Sequence, residues 1–341
     1  MPRSASLPRS ASVFAVSVLG AAWLAACGGG GSGAASSSAD TIDDAIATAY
    51  AANATQIGSD TTSVADGAVL AAQAMISAGA GAGASASDER VTAMAAGAQP
   101  LVASTRSCPG GDTATVSITG GTPQSEVNGQ LDTGDVYQVS FAACTGAAGV
   151  AQLDGTLAMT VVSASGDSAN GALDLSMTAT NLSLTLPRGA MLNGSAERQY
   201  SVSTDADGTV HLSSHFVSPS LTLATRYNAR SSTFTLSDAD ILRTATLVGG
   251  VLQSSTIVGS HTLTATLPNA SFSDSVATSG GVTYAADGTP ASGAWTITLP
   301  QSIVVVTVAN GVATITIDRG KDGTIDATFT LPVPQLAAAA G

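Results

Sequence analysis

Lysine is almost missing from this 341-residue chain. Lys321 is the one example, and Lys and Arg together number 11 against 24 Asp and Glu, for a formal net charge of −13. Nucleic-acid binding needs clustered basic side chains, so that class is excluded. A basic amphipathic surface for lying on a membrane is excluded on the same ground. Aromatic residues make up only 4%, too few for the two girdles of a transmembrane β-barrel. Glutamate is restricted to Glu89, Glu126 and Glu197, too scattered to name an acid–base pair. There is no Cys-x-x-Cys and no Gly-x-Ser-x-Gly nucleophile elbow. Charged residues are 10% of the chain, so solubility rests on Ser, Thr, Asn and Asp.

A long apolar run is missing too. Residues 1–12 carry Arg3 and Arg9 and no acid, and residues 13–26 are apolar or small, including Phe14, Val16, Val18, Leu19, Trp23 and Leu24. As a helix that run spans about 21 Å, short of the roughly 30 Å hydrocarbon core. It fits a secretory signal, residues 1–26, rather than a permanent span. The run ends Leu24-Ala25-Ala26-Cys27-Gly28, which resembles the bacterial lipobox. The resemblance implies cleavage before Cys27 and lipid on that cysteine. After Cys27 the 27–39 linker is Gly, Ser and Ala alone, ending with Ser38 and Ala39, a flexible leash. Gly28 is not the aspartate that resembles an inner-membrane retention signal, so the expected address is the outer membrane.

With Cys27 lipidated, Cys108 and Cys144 remain, an even pair in an oxidising compartment. A structural disulfide is expected, and no nearby His supports the redox or metal alternative.

Residues 40–104 are Ala-rich. Thr41 precedes Ile42, Ile46, Tyr50, Ala54 and Ile57 at helical steps, with Asp43 and Asp44 in the first turn. Further helices are expected near 64–78 and, capped by Ser87, 88–96. The Gly/Ala alternation at 79–84 is low complexity, since no strand precedes it as a nucleotide loop requires. The apolar stripes are thin, so these helices are expected to pack on the body or stay partly disordered.

From 105 to 332 the period is two. Leu153, Leu157, Met159 and Val161 alternate with polar or small residues; so do Leu173, Leu175, Met177 and Ala179. At Asn181 the phase slips to Leu182, Leu184 and Leu186, which implies a bulge or bend. Trp295, Ile297 and Leu299 alternate, as do Leu263, Ala265 and Leu267. Turn pairs recur: Asp207-Gly208, Gly249-Gly250, Asp287-Gly288, Asn310-Gly311, Asp322-Gly323. A two-residue turn at Asn310-Gly311 sets Val308 opposite Ala313, Val306 opposite Ile315 and Val304 opposite Ile317, all on one face. A return through 319–323 would put Ile315 against Ala327 and Ala313 against Phe329, large against small. The fold class is mainly β: a long antiparallel meander curled into a sandwich, barrel or half-barrel, with residues 333–341 a disordered tail.

Cys108-Pro109-Gly110-Gly111, Gly134-Asp135, Phe141 with Cys144, Asp154-Gly155-Thr156-Leu157 and Asp318…Asp322-Gly323-Thr324-Ile325-Asp326-Ala327 together resemble a group of uncharacterised β-rich proteobacterial lipoproteins, over roughly 104–331. The resemblance supports the disulfide and the all-β body and implies no activity.

Four groups of residues invite a chemical reading. Asp318, Asp322 and Asp326 stand at positions 1, 5 and 9 of a calcium-like loop with glycine at 6, but Phe329 occupies position 12 where a bidentate Glu belongs, and Lys321 opposes a cation. A polar turn is preferred and Ca²⁺ is the alternative; no other cofactor is expected. His211 and His215 share the polar face of one strand about 13 Å apart, too far for one metal on a straight strand. His261 begins another strand and could join either. Gly166-Asp167-Ser168-Ala169 reads as a loop, and Asp238 with Asp240 as a turn.

The expectation is therefore a non-enzymatic, lipid-anchored envelope protein whose β domain binds a protein, glycan or apolar ligand or adds surface structure. A carrier of an apolar molecule would leave an open apolar groove on the concave side. The rivals are a hydrolase, which requires His211, His215, His261 and Asp residues to converge, and a calcium-stabilised adhesin.

Overall fold

A computed structural model describes residues 42–82, 104–108, 112–119, 131–145, 152–166, 170–185, 189–227, 230–249, 251–267, 270–286 and 288–339. Helix α1 (Asp44–Ala82) is followed by fifteen strands: β1 (Ser104–Ser107), β2 (Thr113–Thr119), β3 (Val136–Thr145), β4 (Gln152–Gly166), β5 (Gly171–Leu184), β6 (Gly189–Thr204), β7 (Val210–Tyr227), β8 (Arg230–Val248), β9 (Val251–Leu267), β10 (Ala270–Thr278), β11 (Val282–Ala285), β12 (Pro290–Thr298), β13 (Ser302–Ala309), β14 (Val312–Arg319) and β15 (Ala327–Pro332). A short helix α2 (Val333–Ala338) follows. All strands join one antiparallel sheet in sequence order, with β10 and β11 sharing the edge of β9 one after the other.

Period-two alternation gives this sheet two unlike faces. Leu157, Met159, Leu175, Met177, Phe216, Phe234, Leu263 and Trp295 are buried on the inner face. Their outward neighbours are polar or small, such as Ser176, Thr178, Gln199, Ser213, Thr244 and Thr256. A membrane-spanning barrel requires the opposite arrangement, with apolar residues outside. No described helix is long and apolar enough to cross a membrane.

The inner face wraps α1. Every residue from 51 to 59 is buried, through more than two helical turns. A helix covered on all sides cannot lie on a surface. Its neighbours include β1, β5, β6, β7, β8, β12, β13, β14 and α2. Small side chains make this possible: Ala47, Ala51, Ala52, Ala54, Ala65, Ala68, Ala71 and Ala72 are buried and keep the helix slim. Among the described residues the concave side is filled by α1, where a carrier would leave an open apolar groove.

Several local expectations change. The first two helices are one continuous α1, because the intervening Gly58, Thr61 and Thr62 are buried and tertiary packing overrides their low propensity. Thr62 Oγ1 donates back to the Gly58 carbonyl at 3.0 Å. The start is capped by Asp43, whose Oδ1 accepts the Ile46 N–H at 2.8 Å; Thr41 lies outside the described residues. The third helix, at 88–96, lies outside the described residues. The expected disordered tail contains α2, pinned by buried Val333 and Leu336.

The 310–311 hairpin has the expected register, with Val308↔Ala313, Val306↔Ile315 and Val304↔Ile317. The next pairing lies two residues away from expectation: Ile315 faces Phe329 and Ala313 faces Leu331. The loop consumes more chain because Asp326 belongs to it, donating its N–H to the Ile317 carbonyl at 2.8 Å and accepting the Arg319 N–H on its carboxylate at 2.5 Å.

Strands β4 to β9 are 14 to 19 residues long, and the sheet bends across them. Irregular or left-handed residues lie in one transverse line: Ala143, Gly155, Asn181, Gly194, the 219–220 step, Asp238 and Gly259. In β3, β5, β7 and β8 the buried parity changes at the slip, as from Ala179 to Leu182 and from Ser218 to Leu221. The amides released by the bulges are recaptured by neighbouring side chains. Asp154 Oδ1 accepts from Ala143 N at 2.7 Å, Asn193 Oδ1 from Asn181 N at 2.6 Å, and Thr278 Oγ1 from Gly259 N at 2.9 Å. The slip expected at Asn181 is one of these bends. Asp238 is another, not a turn: it sits inside β8 at φ +51°.

Candidate functional site

Cys108 and Cys144 lie at disulfide distance, Cα atoms 5.6 Å apart. They tie the end of β1 to the end of β3. Other landmarks of the lipoprotein resemblance serve the fold as well. Asp135 is buried and accepts the Tyr137 hydroxyl at 2.7 Å, while Asp154 and Gly155 build the bend. Cys27 lies outside the described residues, as do Asp167, Ser168 and Ala169.

In the loop after β14, the three carboxylates serve the loop's own amides. Asp318 accepts from Asp322 N at 3.2 Å and Gly323 N at 3.0 Å; Asp322 accepts from Thr324 N at 2.8 Å; Asp326 accepts from Arg319 N at 2.5 Å. The amide bonds hold the Asp322 carboxyl below the usual carboxylate range. Among the described residues no three His, Cys, Asp or Glu side chains stand close enough together to hold a metal ion.

The histidines divide between the two faces. His211 pairs with Asp205 at 2.9 Å and His215 with Asp240 at 2.7 Å, both on the outer face. His261 is on the inner face, buried beside α1; a β-carbon on Gly58 would be 3.7 Å from its ring. It cannot join the other two, because the sheet stands between them.

An outer-face cleft of about 730 Å³ runs across β4 to β9. Its polar groups include Asp174, Gln199, Ser213, His215, Asp240 and Ser260. Leu242 and Val258, cross-strand partners exposed at 38% and 40%, supply an apolar floor amid a Ser/Thr surface. Among the described residues two acids and no lysine or arginine line it, so it favours neutral or cationic groups over anions.

The inner face carries polar groups of another kind. Asp66 of α1 meets two arginines of the sheet. Its Oδ1 contacts Arg198 of β6, and its Oδ2 accepts from Arg243 of β8 at 2.5 Å. Ser214 of β7 takes a 2.6 Å bond from Arg198 and donates to Asp66 at 3.2 Å. Arg198 is fully buried, with its guanidinium 5.9 Å from the Tyr200 ring centroid. Burial pulls Arg198 down to about 9 and pushes the Tyr200 hydroxyl up to about 12.

Further along α1, the Tyr284 hydroxyl donates to the Thr55 carbonyl at 2.7 Å. Asp274 is buried with neither carboxylate oxygen bonded among the described residues, and desolvation pushes it up to about 7. The same effect pulls His261 down to about 4. Asp274 lies opposite Leu263 and His261 opposite Val276, so the two are diagonal neighbours on the inner face.

Arg198 and Asp274 were not singled out in the sequence and His261 was placed with the other histidines, yet parity marked all three. Arg198 falls between inward Ala196 and Tyr200, Asp274 two residues before inward Val276, and His261 two before Leu263. An ionisable residue at an inward position was the usable signal. Asp66 had no such marker, because α1 has no polar face against which to notice it.

The molecule therefore holds an exposed His–Asp cleft on one face of its sheet and a helix locked by buried charges on the other, and no protein-family model, curated protein or solved structure matches the chain.

Proposed function

We propose that this chain is a non-enzymatic envelope lipoprotein, anchored through lipid on Cys27, whose curled sheet offers its polar outer face to a partner. The observation that carries this reading is the enclosed α1. With the interior occupied by Ala-rich helix, the open recognition surface is the outer face and its His215–Asp240 cleft. The cleft's acids and apolar floor suit a neutral or amino-bearing saccharide or a cationic peptide segment. The Gly, Ser and Ala of residues 28–38 give the domain reach from the bilayer. Two or more acyl chains would hold it there without a span.

Intact-mass analysis of protein taken from its own membrane tests the anchor. Loss of residues 1–26 and an acylated Cys27 are expected, and Cys27→Ser should move the protein to the soluble fraction. Soluble wild-type protein that retains its first 26 residues would contradict the reading.

One observation favours a hydrolase as the second reading: His215 and Asp240 do share a cleft, with Ser213 and Ser260 beside them. Screening ester and glycoside substrates with the wild type and His215→Ala separates the two. Turnover lost in the variant would support the enzyme; identical backgrounds would remove it.

A further inference from the structure

The buried lock is short of negative charge. Two guanidiniums, Arg198 and Arg243, share one carboxylate, Asp66, which is the only ion-pair partner of either among the described residues. Arg stays protonated at neutral pH even when desolvated, so among the described residues the cluster carries an excess positive charge, with Arg198 away from water and Arg243 nearly so. Its donors are also in surplus. Arg198 Nε and Nη1 and Arg243 Nε are buried and have no hydrogen-bond partner among the described residues. Each guanidinium offers five N–H groups, and an orphaned charged donor in a low-dielectric interior is costly. Uncompensated charge and unpartnered donors at one point call for the same thing, an anion.

We propose that a small monovalent anion of the halide class binds inside the sheet at Arg198 and Arg243, completing the contact between α1 and strands β6 and β8. Size follows from enclosure. The Arg198 side chain has no exposure, and the cluster is covered by α1 on one side and the sheet on the other. A phosphate or an organic acid would need more room and an open mouth. The Arg243 side chain is 12% exposed and marks the route by which the ion exchanges. The overall charge of −13 repels anions at long range, so capture depends on this local excess. The inference is independent of the lipid anchor and of the outer cleft.

The test is thermal unfolding of the purified full chain at fixed pH and ionic strength, with chloride or bromide exchanged against methanesulfonate, which is too large for the site. Both halides should raise the midpoint in a saturating way. At tenfold excess over Kd the unfolding constant falls about 11-fold, a rise of roughly 2–3 °C for a chain of this length. Arg243→Gln, which removes the excess charge, should abolish the dependence while circular dichroism retains the β signal. That variant can also fail to fold, so a bromide-soaked crystal of the wild type supplies a second readout: an anomalous peak within hydrogen-bonding reach of Arg198 Nε or Nη1. Equal midpoints in halide and methanesulfonate, or ordinary water without an anomalous signal at those atoms, would overturn the proposal.

Discussion

The two faces of one sheet treat the same kind of residue pair in opposite ways. Outside, Asp240 meets His215 at 2.7 Å with 66% of the aspartate side chain exposed. Inside, Asp66 meets Arg198 and Arg243 with at most 12% exposure on any partner. Water screens the first pair and competes for it, so its contribution to stability is small. The second has no water to return to, so losing either side strands a charge. The lesson is one of placement: the outer pair is free to serve a ligand, while the inner cluster holds a helix.

The largest expected effect comes from breaking the inner side. Asp66→Asn leaves two buried arginines without a counter-charge and should cost about 3–5 kcal/mol, read as a fall in the denaturant midpoint with an unchanged slope. Close behind is Cys108→Ser. Opening a bridge that spans 36 residues should cost roughly 3–4 kcal/mol on the chain-entropy account, and reductant should have the same effect on the wild type while leaving the variant unmoved.

The crease that lets the sheet wrap comes next. Gly155 sits at φ +101°, and a β-carbon there would stand 2.1 Å from the Asn181 carbonyl oxygen. Gly155→Ala should therefore destabilise by about 1–3 kcal/mol or more, whereas the same change at Gly208, which has open space around it, should cost less. Equal losses at both positions would mean that the bend is not what strains the chain.

A pH titration sharpens the comparison from inside. His261, lowered from 6.5 to about 4, contributes stability that is complete above 6.5 and lost as pH falls toward 4. Asp274, raised from 3.8 to about 7, contributes stability that is complete below 3.8 and lost as pH rises toward 7. Between about 4 and 6.5 the two slopes oppose each other, so the wild type should show a shallow profile. His261→Gln should become more stable as pH falls through that window, and Asp274→Asn less stable. Parallel profiles for the three proteins would dissociate these groups from the fold's pH response. The smallest effect is outside: Asp240→Asn should change stability by about 0–1 kcal/mol, checked by thermal melting.

Much of this architecture was legible because strand parity is a strong signal. The 310–311 hairpin was readable to the residue, since a two-residue turn leaves one register. The β14–β15 register was not, because the amount of chain held in a loop depends on Asp326 bonding back to Arg319 and Ile317. Helix α1 was visible as helix but not as the centre of the molecule. A thin stripe of Ala reads as weak amphipathicity, and only the encircling strands reveal that slenderness is what allows burial on every side. The outer His–Asp pairs depend on contacts across strands and hairpins that a single strand's pattern does not contain. The interior lock joins Asp66 to residues 132 and 177 positions away, a contact that local pattern cannot carry.

Hydrogen exchange along α1 tests the enclosed helix most directly. If the sheet surrounds it, the amides of residues 51–69 should exchange as slowly as those of β7 and β8, opening only with global unfolding. Exchange of that stretch within seconds, while β7 and β8 stay protected, would contradict the account, because a helix that opens on its own is not the core around which the sheet is curled.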